Sequence, residues 1–221
     1  MRPTSQSEQE QLESLQKWWK ENGRTVIFGV LLGAVGVIGW SSWQAYAIRQ
    51  AEKSSLGYER LVNLVNDKSR DEAIVQGESL IEEFPDSGYA PLASLIVARL
   101  AFERNDLEKA RANLRWVIDQ GKSTPVRRVA RLRLARILAS EEKWEEAITL
   151  LNGDAGAFQG LYEEVRGDIL LARGKVAEAR LAYERSLAGS GRPVGGELAE
   201  RIRMKLSDLG NAPTSGRTDI Q

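Results

Sequence analysis

Residues 25–48, TVIFGVLLGAVGVIGWSSWQAYAI, hold no charge between Arg24 and Arg49 in a chain otherwise rich in charged residues. Crossing the ~30 Å hydrocarbon core of a bilayer takes roughly 20 mostly apolar helical residues, so this stretch is long enough to span one. Trp18, Trp19 and Lys20 stand on one side of it, and Trp40, Trp43 and Tyr46 on the other. Amphipathic rings favour the headgroup level, so these are expected interface anchors. A soluble helix of this length would keep a polar stripe, and this one is apolar all round. Ala45-Tyr46-Ala47 has the form of a signal-peptidase site. The segment before the apolar core, however, is long and carries Glu8, Glu10, Glu13 and Glu21 among its basic residues. That is not a short positive n-region, so a single uncleaved anchor is expected.

The rest of the chain is large enough for one domain with its own core. Lysine plus arginine equals aspartate plus glutamate at 31 each, so no global field argues for nucleic acid. Histidine and cysteine are both absent. Disulfides, thiol nucleophiles, imidazole bases and the usual zinc ligands are therefore absent together. No cofactor and no metal site is expected. Orientation is not decided by charge. Lys17, Lys20 and Arg24 flank the span before it, and Arg49, Lys53, Arg60 and Lys68 after it. That count leans slightly toward a cytoplasmic C-terminal domain.

In chain order, residues 1–7 are polar. Residues 8–22 fit a helix with Leu12, Leu15, Trp18 and Trp19 on one side, and Asn22-Gly23 is expected to break or bend it. Within the span, Gly29, Gly33 and Gly36 share one helix face, and Gly29 to Gly33 is a G-x-x-x-G match of the kind that lets a second helix approach closely. Beyond the span, Leu56, Leu61, Val62, Leu64 and Val65 recur at helical spacing, and no run alternates long enough for a strand. A second helix is expected over residues 71–84, before Pro85.

A turn followed by a helix start then recurs as Asp106-Leu-Glu-Lys-Ala110, Lys143-Trp-Glu-Glu-Ala147 and Lys175-Val-Ala-Glu-Ala179. Twelve residues before each final alanine lies a small residue: Ala98, Ala135 and Gly167. The alanines are 37 and 32 residues apart, and Ala73 lies 37 before Ala110. Leu114, Leu151 and Tyr183 hold a large position four residues after each alanine. These periods bracket 34 residues, and the pattern resembles the tetratricopeptide repeat, a helix-turn-helix unit with small residues where paired helices touch. The opening tryptophan of that repeat is replaced by Ser94, Arg131 and Glu163. The resemblance covers about residues 55–190. The chain is thus expected to be all-α, a single N-terminal transmembrane helix followed by a tetratricopeptide-like helical-hairpin solenoid. Its expected divisions are 1–24, the span 25–48, the repeat domain 49–210 and a loose tail 211–221. Residues 196–209 suit a terminal cap, with Leu198, Ile202 and Leu206 inward and Glu200, Arg203 and Lys205 outward.

In that register the first helix of each repeat turns Leu92, Leu95, Ile96 and Arg99, then Leu132, Arg133 and Arg136, then Leu161, Val165 and Asp168 toward a groove. Aliphatic residues mixed with arginines suit a peptide-like ligand. The run RRVARLRLAR at 127–136 has no interleaved aromatics and is followed by Glu141, Glu142, Glu145 and Glu146. It is expected to be a solvated helix face with intramolecular pairs, not a nucleic-acid site. Catalysis finds little support. The pairs Glu82-Glu83, Glu145-Glu146 and Glu163-Glu164 are placed on helix surfaces, and no convergent constellation of chemistry is expected from them.

The stretch Glu21-Asn-Gly23, Gly29-Val-Leu-Leu-Gly33, Gly39-Trp40 and Trp43, with degenerate repeats following, is similar to the YfgM family of bacterial inner-membrane proteins. The resemblance implies an ancillary subunit of the SecYEG translocon with a cytoplasmic N-terminus and a periplasmic repeat domain. It implies association with the membrane-anchored periplasmic chaperone PpiD, and help in passing translocated chains to periplasmic chaperones. A different reading of the same fold is a scaffold for other cell-envelope assembly machinery.

Overall fold

The computed structural model describes residues 5–189 and 196–211, and the chain divides into two compact units, Met1–Lys53 and Ser54–Gln221. Among the described residues the regular structure is entirely helical. The expected tail lies, from residue 212, outside the described residues, as do residues 1–4 and the side chain of Leu12.

The first unit is formed by helix α1 (Ser5–Asn66) as far as Lys53. The expected break at Asn22-Gly23 does not occur, because neither residue opposes the helix strongly enough. One glycine in a helix costs only about 1 kcal/mol relative to alanine. The Asn22 side-chain amide donates to the Trp18 carbonyl at 3.2 Å, one turn back. The Trp19 ring covers Gly23, 3.4 Å from where a Cβ would stand.

The second unit begins with the last turns of α1 and continues through α2 (Arg70–Glu83), α3 (Ala90–Glu103), α4 (Leu107–Gln120), α5 (Thr124–Ser140), α6 (Trp144–Leu151), α7 (Gln159–Ala172), α8 (Val176–Ala188) and α9 (Gly196–Asn211). A short 3-10 turn, Gly156–Phe158, precedes α7. The helices pair as antiparallel hairpins: residues 54–66 with α2, α3 with α4, α5 with α6, and α7 with α8.

All four hairpins turn in the same way. Lys68, Asn105, Glu142 and Gly174 have φ of 60°, 61°, 60° and 74°. In each turn the next residue's N–H donates across to a carbonyl of the preceding helix at 2.9 Å: Ser69 to Leu64, Asp106 to Ala101, Lys143 to Leu138 and Lys175 to Leu170. This is the closure that a left-handed C-terminal residue provides. Only in the second hairpin does a side chain then cap the following helix, where Asp106 accepts from the Lys109 N–H at 3.0 Å.

The repeat positions pack as the spacing requires. Ala73, Ala110, Ala135, Ala147 and Ala179 are fully buried, and Leu114, Leu151 and Tyr183 fill the space beside them. Burying a leucine fully contributes about 1.5–3 kcal/mol, so recurrence of a small residue beside a large one is a large share of the core. In the first hairpin Gly77 stands four after Ala73 and the large residue is the fully buried Leu61. Size is exchanged in the last hairpin. A Cβ on Gly167 would lie 2.4 Å from the Tyr183 ring, so only glycine there admits tyrosine. Where the repeat's tryptophan is missing, polar residues tie two of the hairpins instead. The Ser94 hydroxyl donates to the carbonyl and side chain of Asn113 at 3.0 Å, and Glu163 accepts from Arg185 at 2.9 Å.

Glu163 and Glu164 are therefore not surface residues: they are only 4% and 3% exposed. Partners on α8 and α9, distant in sequence, draw them in. The cap is corrected at the same point. In α9 Ile202 is fully buried against α8, and Arg203 and Glu200 face out. Lys205 instead turns back, donating to Glu164 at 3.0 Å and to Asp168 at 2.6 Å.

Candidate functional site

Two surfaces carry the residues singled out by sequence, one in each unit. In the first, the apolar stretch of α1 presents large side chains on every side: Phe28, Val30, Leu32, Val35, Val37 and Ile38 are all exposed. A helix with no polar face suits lipid and not water. From Ile27 on, it is long and apolar enough to cross a membrane. Trp18 and Trp19 stand with ring centroids 6.5 Å apart before the span, and Trp40 and Trp43 are exposed near its end. Gly29, Gly33 and Gly36 have open space where their Cβ atoms would be.

In the second unit, an open pocket of about 320 Å³ lies between α3 and α5 with α4 behind it. Its floor is Ala98, Leu114 and Ile137, and its rim is Arg99, Phe102, Arg133, Arg136 and Ser140. Phe102 is 49% exposed. Arg133 donates to the Leu95 carbonyl at 3.2 Å. Partial burial, and then the charges of Arg99 and Arg136, lower the Arg133 guanidinium from its ordinary value. Arg99 stands 3.8 Å from Glu103, and Arg136 stands 3.8 Å from Glu164.

The expected groove residues thus separate into three sets. Arg99, Arg133 and Arg136 come together at the pocket. Leu95, Leu132 and Val165 are buried in the core behind it, while Leu92, Ile96 and Leu161 are half-buried. Asp168 is apart from the pocket, accepting from the Tyr183 hydroxyl at 2.7 Å and from Lys205. Sequence reasoning missed Phe102, Ile137 and Ser140. Phe102 follows Arg99 by three residues and Ile137 follows Arg133 by four, so extending the same face by one turn would have found them.

A dense ion network closes the far end of the unit. Arg201 grips Glu164 with two donors, at 2.6 and 3.0 Å, and Lys205 bridges Glu164 and Asp168. Burial alone would raise the Glu164 carboxyl, but hydrogen bonds from Arg201 and Lys205 outweigh it and hold the group below the ordinary carboxylate value of 4.5. Burial, followed by the bond to Asp168, pushes the Tyr183 phenol well above its ordinary value. Each carboxylate faces committed cations, so the network braces α9 and offers no free acid or base.

The tetratricopeptide repeat-like domain family matches residues 16–211. The chain is 30% identical to the "Ancillary SecYEG translocon subunit" of Escherichia coli (strain K12) over 205 residues, covering 92% of this chain and 97% of that protein. It is 29% identical to the protein of the same name from Haemophilus influenzae, covering 91% of this chain and 97% of the relative. A Neisseria gonorrhoeae protein, again so named, is 27% identical with the same coverage.

Proposed function

The chain belongs to the YfgM family of ancillary SecYEG translocon subunits, built on a tetratricopeptide repeat-like domain, and from that premise we propose a membrane-tethered protein-interaction adaptor at the translocon. The observation that carries this reading is the joining, in one chain, of an exposed apolar helix of membrane length with a unit of stacked helical hairpins. The relatives of that name span the whole of this arrangement and not the repeats alone.

In this reading residues 25–48 cross the inner membrane, residues 1–24 lie in the cytoplasm and residues 49–210 lie in the periplasm. The orientation rests on the family resemblance. The repeat unit passes newly translocated chains to periplasmic chaperones, with a PpiD-like chaperone as neighbour. The mechanism needs no chemistry of bond making. Lipid holds the helix, and translocon helices pack on the face of Gly29, Gly33 and Gly36, which is open to close approach. Tethering replaces a dilute encounter with a high effective concentration of the groove at the channel exit.

Replacing Gly29 and Gly33 by leucine tests the docking face. Two leucines in place of the glycines hold a second helix away from close packing, and a loss of about 1 kcal/mol is about fivefold in affinity. The double variant should therefore co-purify with the translocon about fivefold less well, with the circular dichroism and melting of the repeat unit unchanged. Unaltered co-purification would remove the glycine face from the account.

A further inference from the structure

We infer that the pocket between α3 and α5 takes a short extended peptide segment in which a bulky apolar side chain is flanked by carboxylates. The apolar side chain seats on Ala98, Leu114 and Ile137 beside Phe102, and the carboxylates pair with Arg99, Arg133 and Arg136. The assignment deepens the adaptor reading and rests on it.

Size comes first. At about 320 Å³ the pocket is at the small end of the ~300–1,000 Å³ range of ligand sites. It has room for one or two large side chains and not for a folded element. Its floor is apolar, and a half-exposed phenylalanine stands at its lip, so part of the occupant is apolar too.

Charge complementarity supplies the rest. Three buried or part-buried arginines of the unit are closely satisfied: Arg111 by Glu108 and Glu141, Arg128 by Asp154, and Arg201 by Glu164. The three at the pocket are held more loosely: Arg99 stands 3.8 Å from Glu103, which lies closer to Arg70, at 3.5 Å. Among the described residues Arg133 has no carboxylate partner and donates only to the Leu95 carbonyl. The acid nearest Arg136 is Glu164, already held by Arg201 and Lys205 at shorter distances. Three guanidinium groups are thus gathered around an apolar floor with less counter-charge than they can bind. Their planar donors match a carboxylate in two-point geometry. A nucleic acid would ask instead for a broad basic face, which the run of glutamates from Glu141 interrupts.

The test uses the whole chain in a neutral detergent and fluorescence anisotropy of three labelled peptides. These are acetyl-SDLEFDSG-amide, its neutral counterpart acetyl-SNLQFNSG-amide, and acetyl-SDSESDSG-amide, which keeps the acids without the apolar side chains. The first should bind about tenfold or more tightly than either of the others, the scale of a charged hydrogen bond. Its advantage over the neutral peptide should shrink as salt is raised. Arg133→Met with Arg136→Met should abolish the advantage, while Arg115→Met on α4 should leave it. If the double variant fails to keep its melting transition, Arg99→Gln with Phe102→Ser replaces it. Equal binding of acidic and neutral peptides overturns the assignment, as does indifference to the arginine changes. So does an arginine-dependent preference for phosphatidylglycerol vesicles over all three peptides. Translocon co-purification of the same chain is a separate readout: its absence overturns the adaptor reading, whereas equal peptide binding beside intact co-purification overturns only the pocket.

Discussion

Individual residues carry the account most sharply at Gly167 and Tyr183. In the two central hairpins an alanine is paired with a leucine, Ala98 with Leu114 and Ala135 with Leu151; here a glycine faces a tyrosine whose ring occupies the space of the missing Cβ. Adding a methyl to a filled core costs about 1–3 kcal/mol. Gly167→Ala should therefore lower stability by about that amount, seen as a drop in the melting temperature of the detergent-solubilised chain. Tyr183→Leu in the same chain should restore much of the loss by recreating the alanine–leucine pair of the neighbouring hairpin. If Gly167→Ala leaves the melt unchanged, the close packing described for α7 and α8 is wrong. The small-residue positions were legible in sequence because alanine and glycine recur at them. Left-handed turn residues were not. Lys68 and Glu142 hold the conformation that glycine holds at position 174, and nothing in a lysine or glutamate announces it, since local strain costs only about 1–2 kcal/mol. Repeat geometry imposes it.

At the level of elements, α9 is the helix whose seating depends most on charge. Glu164 is buried on α7 and joined to Arg201 and Lys205 of α9, and its carboxyl is held below the ordinary value of 4.5. A depressed folded value stabilises above the unfolded value, and the contribution is lost as pH falls through the folded one. Glu141, lowered first by its bond to Arg111, behaves in the same sense between α4 and α5. Amide exchange in α9 should thus be flat from neutrality down to about pH 4.5, once corrected for intrinsic rates. Below that it should accelerate before the central hairpins do. At neutral pH Glu164→Gln should speed exchange in α9 about tenfold, the scale of one charged hydrogen bond. Uniform exchange across α9 and α5 on acidification would contradict the brace. Sequence showed the helix and its apolar stripe, because periodicity is local. It misplaced Lys205 and the pair Glu163-Glu164, because their partners are 22 to 41 residues away and a run of like charges looks solvated until those partners are known. The Asn22-Gly23 break failed for a related reason: turn residues interrupt a helix only when nothing nearby compensates them.

For the whole molecule, an apolar span and a recurring alanine were enough to define the all-α class and the repeat. What sequence alone could not assemble was the pocket, whose lining comes from three helices. Arg99, Arg133 and Arg136 meet at it, yet Leu95 and Leu132, on the same two helices, and Val165 on α7 turn into the core. A residue's side of a helix is set by how the next hairpin leans on it. The central claim is that this fold works while attached to the translocon. Its most direct test is extraction of the chain in native lipid, with mass spectrometry of the proteins that accompany it, against an unrelated single-span protein. The account predicts enrichment of SecYEG subunits together with a membrane-anchored periplasmic chaperone. Absence of both above the control would contradict it, and the accompanying proteins would then point to other cell-envelope machinery.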